Sequence, residues 1–341
     1  MEQAPLQNTM PAHHDAALAV VSPLRHTVLG VLALAIFGVA SLGVFDYLVR
    51  AETADTVSQV AAAAAATEEA HAAGYFATTT LVAKSAFVAD IDTGAILYSQ
   101  DPDAQLPLAS LTKVALVLAV SSVLPQESIL TLPSGIGASS QAGAIPPGSH
   151  VQTSDLIAYT LIASSNEGAE TLAAEADEPL RARYVAASAG DAAVWRMTDV
   201  VRELGLTHTY YLNPSGLDES TTQSGAYGSA RDMARLFAYA ASSSPGLFAA
   251  TREIAITIAT HEGTPIQASN TDDAIDSFPG LIMGKTGYTD LAGGNLAIVF
   301  RAPDGHRIVA VVLGSTRQGR FDDMRALVRA TTDALTTSST L

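Results

Sequence analysis

The stretch Val114-Ala-Leu-Val-Leu-Ala-Val120 has no polar face. A helix that is apolar all round must be enclosed by other elements on every side. The segment therefore predicts a central buried helix, starting near Ser110 and ended by Pro125. Ser110 and Lys113 sit at its start. Positions i and i+3 share a helix face, so the hydroxyl and the amine meet at the N-terminal end. A serine hydroxyl is a weak nucleophile until a base takes its proton. A lysine drawn into a low-dielectric site holds its proton less tightly and becomes such a base. Taken alone, Ser-x-x-Lys reads sooner as a capping serine beside a lysine that snorkels to water.

The rest of the domain must enclose this helix. Ala86–Ile91 alternates as a strand, Asp92-Thr93-Gly94 is a turn, and Ala95–Ser99 continues as its partner. Helical patterns dominate from about Ser110 to Tyr239. Strand signals return at Leu281–Thr286 and at Asn295–Arg301 with Arg307–Gly314, a hairpin around Ala302-Pro303-Asp304-Gly305. A last helix is expected over Asp322–Leu335. Strands at both ends with helices between predict one mixed sheet, closed by distant segments and covered by helices.

Two further motifs change the weight of Ser-x-x-Lys. Ser164-Ser165-Asn166 places a hydroxyl and a carboxamide two residues apart after an apolar helical stretch. Lys285-Thr286-Gly287-Tyr288-Thr289 lies at the end of a predicted strand. A cation and hydroxyls there can hold a carboxylate, and Gly287 lets another backbone approach closely. Three motifs in the order SxxK, SxN, KTG form a specific pattern.

With these motifs the chain resembles the D-alanyl-D-alanine carboxypeptidases, the low-molecular-weight penicillin-binding proteins. The resemblance covers about Ser85–Leu335. It includes Ala86–Leu97, Pro107–Lys113, Glu203–Thr209, Asn213-Pro-Ser-Gly-Leu-Asp218, Ser229–Met233 and Ala292-Gly-Gly-Asn-Leu296. It implies a β-lactamase/transpeptidase-like fold of the α/β (α+β) class. Such a fold has a mixed, mainly antiparallel sheet covered by helices, with a helical subdomain. It implies that Ser110 attacks the penultimate D-Ala carbonyl with Lys113 as general base, and that Ser164 relays the proton to the leaving nitrogen. Asn166 would bond the lysine and the substrate amide. Lys285 and Thr286 would face the terminal carboxylate, with Gly287, Tyr288, Thr289 and Arg320 completing the substrate site. The N–H groups of Ser110 and Tyr288 would form the oxyanion hole. No cofactor or metal is implied. The implied partners are a peptidoglycan stem pentapeptide and β-lactams as covalent inhibitors.

The chain departs from the family pattern in places. Ser165 stands where many members have Gly. Glu175–Val194 looks longer than usual and is read as a loop or lid over the site. Many members carry a further C-terminal β-rich domain and terminal anchor; here the chain stops after the last catalytic-domain helix. Three alternatives stay open: a serine β-lactamase, a DD-endopeptidase of the same fold, and an idle penicillin-recognising wall scaffold. The β-lactamase needs a deacylating Glu in a Glu-x-x-x-Asn context, but Thr207 follows Glu203 at that spacing. The intact Ser110, Lys113, Ser164, Asn166 and Lys285 argue against the scaffold.

Composition excludes other classes. With 18 basic and 34 acidic side chains the net charge is -16, which repels phosphate backbones, so nucleic acid is not an expected partner. The absence of Cys rules out disulfides, zinc-thiolate sites and thiol catalysis. The eight His residues show no paired metal-ligand spacing. Upstream, Val28–Phe45 carries no charge, and about 18–20 such residues just cross a hydrocarbon core. Asp46-Tyr47-Leu48 makes a poor cleavage site. The expected organisation is a cytoplasmic tail (1–27), a single-pass membrane anchor (28–49), an Ala-rich stalk (50–79) and an extracytoplasmic serine DD-peptidase domain (80–341).

Overall fold

The structure, a computed structural model, describes residues 73–133 and 145–338. The expected tail, the anchor and nearly all of the stalk lie outside the described residues. Among the described residues no helix is long and apolar enough to cross a membrane. The domain begins earlier than Thr80. Phe76 is buried, with its ring 5.1 Å from that of Tyr98. An aromatic at the end of an Ala-rich run finds an apolar face to cover, so residues near it belong to the domain rather than to the stalk.

In chain order the elements are β1 (Ser85–Asp90), β2 (Ile96–Gln100), β3 (Leu106–Pro107), a 3-10 turn (Ala109–Leu111), α1 (Thr112–Val120), β4 (Ile129–Thr131) and β5 (His150–Gln152). There follow α2 (Thr153–Ile162), α3 (Asn166–Arg181), α4 (Ala192–Glu203), β6 (Tyr210–Tyr211), β7 (Ala226–Gly228), α5 (Ala230–Ser243) and α6 (Pro245–Phe248). Last come β8 (Ala255–Ala259), β9 (Pro265–Ser269), β10 (Leu281–Thr289), β11 (Gly293–Arg301), β12 (Arg307–Ser315) and α7 (Gly319–Ser338). The main sheet has the order β10-β11-β12-β1-β2. Each of its pairings is antiparallel, so the mainly antiparallel sheet expected is antiparallel throughout. The first strand closes on the last, from Ser85 opposite Leu313 to Asp90 opposite Ile308.

Both faces of this sheet are buried, which is why its strands read as nearly continuous apolar runs. Alternate residues still go to different partners. Leu296, Ile298, Phe300, Ile308, Ala310 and Val312 pack with Phe321, Met324 and Leu327 of α7. Ala297, Val299, Val309, Val311 and Leu313 face the helical side. There α1 is buried along its whole length and packs against α2, α3, α4 and α5. Full enclosure is what its lack of a polar face demanded.

The β8–β9 hairpin and the short β3-β7-β6 sheet have no counterpart in the sequence reading. β3 matters for the site, because its pairing with β7 fixes the chain just ahead of Ser110. The reading of Glu175–Val194 as a lid needs correction. Residues 175–181 continue α3 through Pro179, and Leu180 and Tyr184 are buried in the helical core. None of the segment lines the catalytic cleft. The extra residues serve packing between α3 and α4.

One buried carboxylate ties three parts of the sheet–helix layer together. Asp323 on α7 accepts from the N–H groups of Val82 and Ala83 at 2.9 Å each, and from the Ser315 hydroxyl at 2.6 Å. Removing it strands the buried Ala83 N–H and leaves the Val82 N–H and the buried Ser315 hydroxyl without this acceptor. Asp323→Ala is expected to lower the unfolding free energy by about 2–4 kcal/mol. Denaturant titration checks this, and a loss within about 0.5 kcal/mol would show the carboxylate to be dispensable.

Candidate active site

Ser110 lies in the 3-10 turn that feeds α1, between the sheet edge β10 and the helical side. The turn is strained. Ala109 has φ 49°, in the left-handed region that costs a residue with a side chain about 1–3 kcal/mol. Its neighbours hold it there. The Thr112 hydroxyl donates to the Ala109 carbonyl at 2.7 Å. Asn295 donates from Nδ2 to the Pro107 carbonyl at 2.9 Å and accepts the Gly314 N–H at 2.8 Å, bridging the nucleophile segment to β12. Gly216, at φ +79°, presses so close that a Cβ would stand 2.0 Å from the Ala109 oxygen. Gly287 on β10 does the same from the other side, where a Cβ would lie 2.9 Å from the Leu108 oxygen and 3.2 Å from the Ser110 nitrogen. Only glycine lets the strand bring the Gly287–Tyr288 backbone up to the Ser110 N–H.

Lys113 is fully buried. Its Nζ makes three contacts of 2.8 Å, to Ser110 Oγ, Asn166 Oδ1 and the Ser215 carbonyl. Burial pulls its pKa down from 10.5 to about 7, with Glu170 and Glu167 opposing. A neutral amine has two hydrogens and one lone pair. Two of the three contacts are carbonyl oxygens, which only accept. They claim both hydrogens, and the lone pair is left facing the Ser110 hydroxyl. The arrangement can therefore remove the serine proton as the oxygen attacks.

The second motif sits at the α2–α3 junction. Ser164 has φ 57°, and its hydroxyl accepts from Lys285 Nζ at 2.8 Å. Ser165, the departure from the family pattern, caps α3 by accepting the Gly168 N–H at 3.0 Å. A Ser side chain satisfies one orphan N–H at a helix start. Lys285 is buried and also donates to the Thr286 carbonyl at 2.8 Å. Burial first, then the charges of Lys113 and Arg320, hold its pKa well below the usual lysine range. Arg320 donates to the Gly287 carbonyl at 2.9 Å. Asp272 opposes the charges of Arg320 and Lys285; its carboxyl is pushed up to about 6, chiefly by burial.

An open cleft of about 330 Å³ runs over these groups. Of the residues singled out from the sequence, Ser110, Ser164, Asn166, Thr286, Gly287, Tyr288 and Arg320 line it. Lys113 and Lys285 lie beneath, bonded to lining residues. Thr289 does not line it. Its hydroxyl donates to Asp218 at 2.9 Å and accepts the Ala292 N–H at 3.1 Å, which ties the end of β10 to the Asn213–Asp218 turn. The cleft also holds Tyr159, Glu167, Leu217, Thr271 and Arg317, to none of which the sequence had assigned a role. The Ser215 carbonyl was missed as well. The Asn213-Pro-Ser-Gly signature pointed near it, because Asn213 Oδ1 accepts the Gly216 N–H at 2.7 Å and shapes that turn. Among the described residues no group of three or more His, Cys, Asp or Glu is placed to hold a metal ion.

Comparison with known proteins agrees with this geometry. Residues 67–317 match the family model described as D-alanyl-D-alanine carboxypeptidase. The chain belongs to the D-alanyl-D-alanine carboxypeptidase family. It is 30% identical over 240 residues to the D-alanyl-D-alanine carboxypeptidase DacB2 of Mycobacterium tuberculosis, covering 70% of this chain and 77% of that protein. It is 30% identical over 221 residues to a D-alanyl-D-alanine endopeptidase of Pseudomonas aeruginosa, covering 62% of this chain and 65% of that protein. Among solved structures, penicillin-binding protein D2 of Listeria monocytogenes in a cefotaxime-bound form aligns with a TM-score of 0.61 at 25% identity, over 74% of this chain and 98% of that one. The chain is thus a serine peptidase with a penicillin-binding-protein fold.

The lowered Lys113 pKa gives this family member a testable pH profile. The lysine is a base only when neutral, and burial moves that condition from near 10.5 down to about 7. Modification of Ser110 by a serine-directed phosphonylating reagent should rise roughly tenfold per pH unit below that point and level off above it. A rate that is flat across this range, or still climbing at about pH 9, would show that Lys113 does not set it.

Proposed function

We propose that this protein is a serine-type D-Ala-D-Ala carboxypeptidase that trims peptidoglycan stem pentapeptides through an acyl-enzyme on Ser110. The observation that carries the reading is the Lys113 amine, 2.8 Å from Ser110 Oγ with two carbonyls on its other hydrogens. Ser110 Oγ attacks the carbonyl carbon of the penultimate D-Ala while Lys113 takes its proton. The N–H groups of Ser110 and Tyr288 receive the oxyanion. Ser164, bonded to Lys285, passes its proton to the departing nitrogen, and the proton that Lys113 took from Ser110 replaces it. The C–N bond breaks, free D-Ala leaves, and water hydrolyses the ester. Lys285, Thr286 and Arg320 hold the terminal carboxylate that distinguishes a chain end from a chain middle.

A β-lactam presents the same acyl group in a ring, so its leaving group stays attached and obstructs water. Exposure to a penicillin should add its mass at Ser110, and hydrolysis of the adduct should be slow. Ser110→Ala should abolish the adduct, and Lys113→Ala should nearly do so. An adduct elsewhere, or none in the folded protein, would overturn the assignment; rapid multiple turnover would favour a β-lactamase. The Pseudomonas relative named as an endopeptidase makes a cross-linked dimer the second substrate to assay beside the pentapeptide.

The uncharged run Val28–Phe45 anchors the enzyme as a single-pass membrane protein with the catalytic domain outside the cytoplasm. Its length and freedom from charge support this. Deleting residues 1–50 should release an active protein from the membrane fraction. Recovery of the full-length chain in the soluble fraction, or a mature N-terminus beyond Phe45, would refute the anchor.

A further inference from the structure

Arg317 is a cleft residue that the reaction sketched above does not use. It is exposed at the mouth, and its guanidinium carbon lies 4.0 Å from the centroid of the Tyr288 ring. That ring is itself 37% exposed, and both residues line the cleft that holds Ser110. Stacking on an aromatic face fixes a side chain that is otherwise free to sweep through solvent. Among the described residues no carboxylate stands within ion-pair distance of Arg317. Arg320 lies three residues on, tied to the Gly287 carbonyl at the inner end of the same wall. The two guanidiniums feel one another: the pKa of Arg320 is lowered by burial first and also by Arg317, with Asp272 and Asp273 opposing. Arg320 has Asp272 beside it to offset its charge; for Arg317, an anionic group entering the cleft in front of the Tyr288 ring would do the same.

We propose that Arg317 is a specificity-determining residue that reads a second carboxylate, carried by the side chain of the leaving D-residue. This rests on the carboxypeptidase reading, in which Lys285, Thr286 and Arg320 take the terminal carboxylate. Arg317 then extends that cationic wall outward along Tyr288, away from Ser110. A leaving residue with one carboxylate uses only the inner part. A dicarboxylic leaving residue, an acidic D-amino acid, uses both. The Tyr288 ring holds the guanidinium in place beforehand, so less freedom is lost when the second carboxylate arrives.

The test compares peptides that are alike except for the last residue, D-Ala-D-Glu against D-Ala-D-Gln. The two side chains have the same shape and differ in charge alone. For the unaltered enzyme, kcat/KM should favour the D-Glu peptide by about two- to fivefold, the range for a partly exposed charge pair. The preference should shrink as salt rises, because an exposed pair is screened. Arg317→Ala should bring the ratio to about one, and Arg317→Lys should restore part of it. The readout is a ratio, so a general loss from a disturbed cleft cancels. Arg320→Ala should lower both rates together. An unaltered enzyme with no preference for D-Glu would overturn the inference. So would a preference that survives Arg317→Ala or does not respond to salt. A D-Ala-D-Ala peptide run alongside separates the two levels. If it is cleaved and the ratio fails, only the role of Arg317 falls; if it is not cleaved, the carboxypeptidase reading falls and takes this one with it.

Discussion

Lys113 carries an ionisable amine at the start of a helix with no polar face, and it is fully enclosed. An isolated charge in an apolar interior is so costly that the group gives up its proton instead. Here the cost becomes reactivity. The amine is shut in by α2, α3, α4 and α5 around α1, and its two hydrogens are taken by Asn166 and by the Ser215 carbonyl. Asn166 at the start of α3 and the turn that carries Ser215 thus aim the amine that the helices bury. The apolar helix that follows Lys113 is the means by which the fold keeps water from reaching the base from behind.

Reactivity also needs a rigid nucleophile turn, and that turn is held by close backbone contacts rather than by large side chains. Ala109 is strained at φ 49°. It stays so because Gly216 presses on one side and Gly287 on the other, each without room for a Cβ. Asn295 locks the chain just before it to β12. Bridges between distant segments explain why the site needs the whole domain. The nucleophile comes from near the N-terminal end of the fold, the carboxamide from the helical side, and the clamp from the last strands. The closure of β1 on β12 sets their spacing.

How much of this could be read beforehand follows from which groups carry side-chain chemistry. α1, the β1–β2 hairpin and the β11–β12 hairpin were legible, because period and turn residues announce them. β10 was read as ending at Thr286 but runs to Thr289; its last residues double as the motif and look like loop. Ser110, Lys113, Ser164, Asn166 and Lys285 were legible as reactive types at motif spacing. The Ser215 carbonyl was not, since every residue has one and only the fold chooses which faces the lysine. Thr289 was misread for the opposite reason: a hydroxyl in the motif looked like a ligand, yet Asp218 takes it. Arg317 carried no signal at all. Its place depends on how the turn after β12 leads into α7, and no local pattern encodes where a guanidinium meets a ring on another strand.

The charge distribution links the fold to the kind of ligand it can receive. The chain carries a net charge of -16, so at long range it repels anions. Four basic side chains nevertheless gather at one cleft: Lys113 and Lys285 beneath it, Arg317 and Arg320 on its wall. At physiological salt the field of exposed charges fades over about 8 Å. Beyond that distance the acidic surface offers a carboxylate no guidance; within it, low-dielectric walls concentrate the field of the nearby cations. Burial weakens the two lysines by lowering their pKa, which leaves the two arginines, whose guanidiniums stay charged, as the durable positive charge. Recognition of an anionic chain end in this cleft is therefore short-ranged. It is decided by where the guanidiniums are held, Arg320 by the Gly287 carbonyl and Arg317 by the Tyr288 ring, and not by the overall charge of the protein.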